Sequence, residues 1–286
     1  MTALARRQAS EPAIVPGEFD FTASDFRQIA DLLYQVSGIH LVEGKASLVY
    51  SRLAKRIRKL GLPDFAAYCA LLASEDGADE RMAMLSALTT NVTRFFREPH
   101  HFQHLASHVL PDLAARARSG GRVRLWSAGC SAGHEPYTMA MTLLDALPDA
   151  DRFDVRILAT DIDPQIVARA KAGRYGTEDV EPISAAQKDR YLLRSGNEWT
   201  IRPEVARLIS FGDLNLLAPW PMKGQFDVIF CRNVAIYFDE ETQTRLFTRF
   251  ASVLKPEGRL YIGHSERASV PALETDGLTV YRRSAR

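Results

Sequence analysis

The sequence predicts an α/β protein: a doubly wound sheet with a small antiparallel β insertion, preceded along the chain by a small all-helical domain. Three observations predict it. Apolar runs of strand length, Val123 to Trp126, Val155 to Ala159 and Phe226 to Phe230, alternate with helical patterns, as in a parallel sheet covered by helices. Residues 21–90 show helical spacing instead. The first strand runs directly into small residues, Ser127-Ala128-Gly129-Cys130-Ser131-Ala132-Gly133, and then a helix, the turn at which a doubly wound fold binds its nucleotide.

In chain order, residues 1–20 carry Arg6, Arg7, Pro12 and Pro16 and few large apolar side chains, so they read as a mobile tail. Phe26, Ile29, Ala30, Leu33 and Tyr34 recur at helical spacing after Ser24, read as the N-cap, and Gly38 stops the run. A second helix is expected from about Lys45 to Leu60, with Ala46, Val49, Leu53, Ile57 and Leu60 inward and Gly61 and Pro63 as its stop. Shorter helices around Phe65 to Leu72 and Arg81 to Leu88 complete the domain, and one around His100 to Arg118 opens the domain of residues 91–286. From about 175 to 212 the alternation breaks. Tyr191 to Leu193, Trp199 to Ile201 and Leu208 to Phe211 read as the short strands of the insertion. Arg259 to Gly263 and Leu278 to Arg282 close the sheet as an antiparallel hairpin.

Composition narrows the function. Lys and Arg number 36 against 35 Asp and Glu, so the whole molecule is not built to hold a polyanion. Cys69, Cys130 and Cys231 are odd in number and far apart, with neither disulfide nor zinc spacing, which fits a reducing cytoplasm. No apolar run approaches a membrane span, and the first 17 residues lack a signal-peptide core.

The small-residue turn alone is weak evidence for a ligand, and it is not G-x-G-x-x-G. The second strand strengthens it by ending in Asp161-Ile162-Asp163-Pro164: a carboxylate there is placed to accept hydrogen bonds from ribose hydroxyls. Asp161 is the first choice and Asp163 the expected helix cap. Asn215 and Leu216 precede the strand beginning at Phe226, and Arg232 and Asn233 follow it, at the sheet edge where ligands bind. An amide there suits an adenine edge or an amino-acid moiety.

Five strings carry a specific resemblance: Leu88-Thr89-Thr90-Asn91-Val92-Thr93-Arg94-Phe95-Phe96-Arg97-Glu98, Trp126 to Tyr137, Ala159 to Asp163, Phe230 to Asp239 and Gly263-His264-Ser265-Glu266. Together, and in this order, they resemble the chemoreceptor glutamate methyltransferases, the CheR family, over nearly the whole chain from about residue 21. The resemblance implies a Rossmann-like class I methyltransferase sheet, S-adenosylmethionine as cofactor with S-adenosylhomocysteine as product, and glutamyl methyl esters made on the cytoplasmic helical bundle of methyl-accepting chemoreceptors. It implies cofactor contacts at Asn91, Thr93, Arg97, Glu135, Asp161, Asn215, Leu216, Arg232 and Asn233, with Glu135 on the amino group and Asn215 and Leu216 around the adenine. It implies transfer-site roles for Arg97 and Tyr237. Many members carry Thr-Gly-Glu-Glu where this chain has Ala132-Gly133-His134-Glu135, and Met where it has Ala235; the second glutamate survives.

Lys45, Arg52, Lys55, Arg56 and Lys59 form a basic stripe on the second helix. Such a stripe is ordinarily a solvated face; beside the resemblance it is expected to meet the acidic receptor bundle. No nucleic-acid signature and no membrane-inserting segment accompany it, and a monomer is expected. In the family it resembles, the antiparallel insertion can bind a short peptide at the receptor's C-terminus; the turn between Leu193 and Trp199 is short beside that of members using this tether, so the resemblance implies receptor binding without it. His100, His104 and His108 fall at i, i+4 and i+8, but with no acidic or cysteinyl partner at ligand spacing no metal is expected. Cys130 and Cys231 read as packing residues. The rival readings are a nicotinamide dehydrogenase, which would want G-x-G-x-x-G; a small-molecule methyltransferase, which would not need the basic helical domain; and a non-catalytic adaptor, which intact Arg97, Glu135, Asp161, Asn233 and Tyr237 oppose.

Overall fold

A computed structural model describes residues 11–284, in two compact units that divide between Thr89 and Thr90. The first ten residues of the expected tail lie outside the described range. Residues 11–20 are packed rather than loose: Val15 is buried, Ile14 N–H donates to the Phe21 carbonyl (2.8 Å), Phe19 N–H to the Tyr50 hydroxyl (3.1 Å), and Glu18 pairs with Arg58.

The first unit holds α1 (Ala23–Ser37), α2 (Ala46–Leu60), α3 (Phe65–Ala73) and α4 (Ala78–Leu88). The cap of α1 is Thr22, not Ser24, because Thr22 and Asp25 close a reciprocal capping box. Phe26, Ile29, Leu33, Val49, Leu53 and Ile57 face inward as expected, whereas Tyr34 and Leu60 end up about 40% exposed at 41% and 40%, at helix ends that turn outward. The basic stripe of α2 divides in two. Arg52 Nη1 donates to the carbonyls of Ala87, Leu88 and Thr89 at 2.8 to 3.3 Å, closing the C-terminus of α4. Arg56 grips buried Glu80 with both arms, and Glu80 also accepts the Tyr68 hydroxyl (2.8 Å). Lys45, Lys55 and Lys59 are exposed.

The second unit opens with α5 (Pro99–His104), a π turn (Leu105–Val109) and α6 (Leu110–Arg118), where one helix was expected. There follow β1 (Val123–Ala128), α7 (His134–Ala146), β2 (Val155–Asp161), α8 (Pro164–Ala172), β3 (Arg174–Gly176), α9 (Ala185–Tyr191), β4 (Leu192–Ser195), β5 (Glu198–Ile201), α10 (Pro203–Ala206), β6 (Ile209–Asp213), β7 (Phe226–Cys231), α11 (Glu240–Val253), β8 (Leu254–Ile262), β9 (Leu273–Gly277) and β10 (Val280–Arg283). The main sheet has the order β6-β2-β1-β7-β8-β10-β9. Strands β6 to β8 in that order run parallel and β10 antiparallel, so the order reverses direction at β1, which places a ligand crevice beyond its carboxyl end.

Three sequence readings are corrected. Leu208 to Phe211 is not part of the insertion: it is β6, pairing parallel with β2 from Ile157↔Ile209 to Asp161↔Asp213. The insertion is the separate sheet β3-β5-β4, whose third strand, Arg174–Gly176, has only Tyr175 buried. At the chain's end β8, parallel to β7, does pair antiparallel with β10 as expected, but the edge hairpin is β10 with a strand the sequence reading lacked, β9; Leu278 lies in its turn. Apolar layers cover both faces, one under α5 to α7 and one under α11.

Candidate functional site

At the carboxyl end of β1 the chain turns through Gly129 (φ 88°), Ser131 (φ 47°) and Gly133 (φ 90°) into α7. A Cβ on Gly129 would lie 2.3 Å from the Val234 side chain, and one on Gly133 2.9 Å from the Tyr175 hydroxyl, so these left-handed positions demand glycine. The N–H groups of Gly129 and Cys130 both donate to the Thr160 carbonyl (2.8 Å each), which stitches the turn to β2. Asp161 is buried there. Its Oδ2 accepts Ser131 N–H (2.8 Å) and its Oδ1 accepts Asp163 N–H (3.1 Å), leaving each oxygen a further lone pair. Burial raises the Asp161 carboxyl, against the pull of those N–H groups. Asp163 caps α8 as expected, accepting from Gln165 N–H at 3.0 Å. Leu214 N–H donates to the Asp161 carbonyl (2.8 Å) and so brings Asn215 and Leu216 beside β2's end; Asn215 Oδ1 accepts Leu217 N–H (2.9 Å), and Leu216 is buried.

The centre of the site is a charge cluster around Arg232, whose side chain is 2% exposed. Its guanidinium meets Glu135 Oε2 at 3.1 Å and Glu98 Oε2 at 3.2 Å, donates to the Arg97 carbonyl, and lies over the rings of Phe102 and Phe230. Ser127 Oγ donates to Glu135 Oε1 (2.7 Å). Burial raises the Glu135 carboxyl, while Arg232 and Ser127 pull it back. Burial works against the Glu98 charge too, but the His264 hydrogen bond (2.9 Å) and Arg232 outweigh it and hold that carboxyl at about 2.

The segment from Asn91 to Glu98 wraps over the turn. Ser131 Oγ donates to the Asn91 carbonyl (3.2 Å), Arg97 Nη1 to the Val92 carbonyl (2.9 Å), and Phe96 and Glu98 take left-handed φ values of 53° and 55°. Thr93 and Arg97 are half-buried. Phe95 is fully buried against the rings of His134 and Tyr175. His134 has no hydrogen-bond partner on either ring nitrogen, and burial lowers it to about 4, so it is neutral at pH 7. Half-buried Tyr237 ends a short 3₁₀ turn, Ala235–Tyr237, that follows Asn233 (φ 59°). Sequence reasoning gave no role to Glu98 or Glu266. Both stood inside the recognised strings, and a carboxylate just past a strand end or before a helix was the available signal.

The histidines do not align as i, i+4, i+8, because the π turn rephases the helix; His104 and His108 stack, while His100 and His101 converge with Glu98 within 4.8 Å. An acidic partner is therefore present, correcting the expectation of none. That carboxylate already balances Arg232, so a dication there would face an uncompensated guanidinium. The three cysteines are free and buried. At the opposite, amino-terminal edge of the sheet a cavity of about 460 Å³ is lined by Arg122, Arg124, Arg156 and Lys255; Arg124 is tied to Asp154 (2.6 Å) and Lys255 to Asp227 (2.9 Å).

The sheet edge thus offers a glycine turn without side chains, a buried carboxylate with spare lone pairs, a second carboxylate at the start of α7 and an amide beside them. These residues fit an adenosine ligand bearing a cationic amino-acid tail, as S-adenosylmethionine does. Residues 91–276 match the family described as CheR methyltransferase, SAM binding domain, and residues 24–89 its all-alpha domain. Among relatives, the chain is 54% identical over 258 residues to the probable chemotaxis protein methyltransferase of Rhizobium etli, covering 88% of this chain and 96% of that protein. It is 44% identical to the chemotaxis protein methyltransferase of Klebsiella aerogenes (93% and 90% covered) and 45% identical to that of Escherichia coli K12 (85% and 84%).

Proposed function

The chain belongs to the CheR methyltransferase family, and on that premise we propose that it methylates glutamate side chains on the cytoplasmic domain of chemoreceptors, giving glutamyl methyl esters. The observation that carries the reading is the convergence of Asp161, Glu135 and Asn215 at one sheet edge, around a turn in which no Cβ fits at Gly129 or Gly133.

S-adenosylmethionine supplies, when bound, a methyl group on a good leaving group. Asp161 accepts hydrogen bonds from the ribose hydroxyls, Glu135 holds the amino group, and Asn215 with Leu216 borders the adenine. Asn91, Thr93, Arg232 and Asn233 line the remainder. A glutamate side chain is ionised at neutral pH and needs no general base. Opposite charges cancel as the methyl moves, so a cation set hard on the attacking oxygen would hold reactants more tightly than the transition state. Arg97 and Tyr237 therefore serve to orient the substrate carboxylate, the near-attack arrangement that lowers the barrier by several kcal/mol.

Lys45, Lys55 and Lys59 are the cations exposed to steer an acidic receptor bundle, while Arg52 and Arg56 are committed to the helical unit's own carbonyls and to Glu80. We assign the protein to the cytoplasm as a monomer; no helix of the described residues is long and apolar enough to cross a membrane.

The test is transfer of labelled methyl from S-adenosylmethionine to a purified chemoreceptor cytoplasmic fragment, followed by alkaline release of the label as methanol. Base-labile label on glutamates that disappears in Arg97→Ala, with cofactor affinity kept within a modest factor, is the expected result. No incorporation despite tight cofactor binding would point to an adaptor or another substrate.

A further inference from the structure

Strands β7 and β8 lie side by side and end together, Cys231 opposite Ile262. Beyond β7 the chain must reverse through Asn233 into the turn Ala235–Tyr237 before α11 begins, and the leading N–H groups of such a turn have no partner within it. Here they converge on one side chain from the neighbouring strand's end. Glu266 Oε2 accepts Asn233 N–H (2.9 Å) and Gly263 N–H (2.5 Å), and Oε1 accepts Val234 N–H (2.9 Å) and Ile236 N–H (3.2 Å). The residue is 7% exposed. A carboxylate has two oxygens and about four acceptor sites, and four backbone donors fill them. The turn's own bonds, Tyr237 N–H to the Val234 carbonyl and Phe238 N–H to the Ala235 carbonyl, are local and leave its orientation to Glu266.

Gly263 gives a second, independent sign. A Cβ there would meet Asn233 Nδ2 at 2.5 Å, Asn233 N at 2.8 Å and Glu266 Oε2 at 2.9 Å. The Asn233 side-chain amide is thus seated directly against the same short segment, Gly263 to Glu266, that supplies the carboxylate.

We propose that Glu266 is the positioning residue of the methyl-transfer site: its carboxylate templates the loop that presents Asn233 and Tyr237. The proposal rests on the reading of those two residues given above. Glu266 touches neither substrate nor cofactor; it acts by fixing where the loop stands. A neutral amide in its place keeps one acceptor oxygen and turns two donors toward N–H groups, so the loop shifts while the strands beneath it remain paired.

The experiment compares wild type, Glu266→Gln, Glu266→Asp and Gly263→Ala in methyl transfer to a receptor cytoplasmic fragment, with calorimetric binding of S-adenosylhomocysteine and the folded fraction measured on the same preparations. Glu266→Gln is expected to lose about 10²-fold in kcat, the scale of a 1 Å misplacement, and a clearly smaller factor in cofactor affinity, because Asp161 and Glu135 stand on other elements and Asn233 is the cofactor contact that moves with the loop. Glu266→Asp retains the charge and recovers part of the loss. Gly263→Ala, which pushes on the Asn233 amide without altering any charge, reproduces the kcat defect. An active wild type whose Glu266→Gln variant keeps full kcat overturns the proposal alone. So does a loss that vanishes in all three variants once activity is expressed per folded molecule. A wild type that transfers no methyl overturns the functional reading and this proposal with it.

Discussion

Replacing Arg232 with Met keeps the volume of a side chain that is 2% exposed and removes the charge that Glu98 and Glu135 share. Breaking a buried ion pair by deleting one partner typically costs about 3 to 5 kcal/mol. A second route gives a similar figure. Glu98 is held at about 2 against an ordinary 4.5, and at about 1.4 kcal/mol per pH unit that difference is worth roughly 3 kcal/mol at neutral pH, an upper value because His264 contributes part of it. For a unit of this size, 3 to 5 kcal/mol corresponds to a fall in Tm of roughly 6 to 20 °C. The sign with pH is fixed. A depressed carboxyl stabilises above its ordinary pKa, and the contribution is lost as pH falls from 4.5 toward 2. Arg232→Met should therefore melt lower at pH 7 by calorimetry or circular dichroism, and the gap from wild type should narrow on acidification through that window. Adding Glu98→Gln should restore part of the loss. A variant melting within 2 °C of wild type at pH 7, with an unchanged acid limb, would refute the view that this guanidinium balances two buried charges.

Gly129→Ala places a methyl 2.3 Å from the Val234 side chain at a φ of 88°, so cofactor affinity by calorimetry should fall at least tenfold; unchanged affinity would mean the turn does not shape the site. His134, neutral when buried and lowered to about 4, leaves the unfolded chain binding the extra proton, so stability drops by about 1.4 kcal/mol per pH unit from 6.5 down to about 4. His134→Phe, packed between Phe95 and Tyr175, should lessen the slope of the denaturation series by one proton's share, with further shares from buried His101 and half-buried His104, and keep stability at pH 8. Lys55→Glu with Lys59→Glu should slow association with a receptor fragment severalfold at low salt and little at 0.5 M salt, read by stopped flow, while small-molecule cofactor affinity stays constant.

The parallel core was legible because strands buried on both faces are continuous apolar runs, as in Phe226 to Cys231, where every residue is buried. Strand β9, Leu-Glu-Thr-Asp-Gly, was not: only Leu273 is buried, and the strand is held by cross-strand ion pairs, Arg282 to Glu274 at 2.8 Å and Arg259 to Asp276 at 2.5 Å, that no local pattern announces. The sheet that Leu208 to Phe211 joins is decided by its partner β2, a non-local fact. In the site, Glu135 meets Arg232, Asp161 meets the glycine turn and Asn91 lies over that turn, and the family strings themselves contained Glu98 and Glu266. What they lacked was the geometry that gives each carboxylate its work, since an acceptor of four N–H groups and a solvated surface glutamate look alike in sequence.

The π turn between α5 and α6 has a consequence for length variation. Buried residues run Phe102, Leu105, Val109 and then, one position on, Leu110, Leu113, Ala114 and Ala117, two stripes offset by a single residue. The turn absorbs that offset, so the segment holds one residue more than a continuous α-helix between the same two ends would require. Ala106, Ser107 and His108 are all exposed there. Deleting one of them shortens the turn and leaves both stripes on the core, with Pro111, which has no N–H to donate, still marking the joint, whereas a deletion in α7, buried along most of its length, rotates half of that helix by about 100°. The chain thus carries a residue of slack where its loss leaves the charge cluster at Arg232 undisturbed.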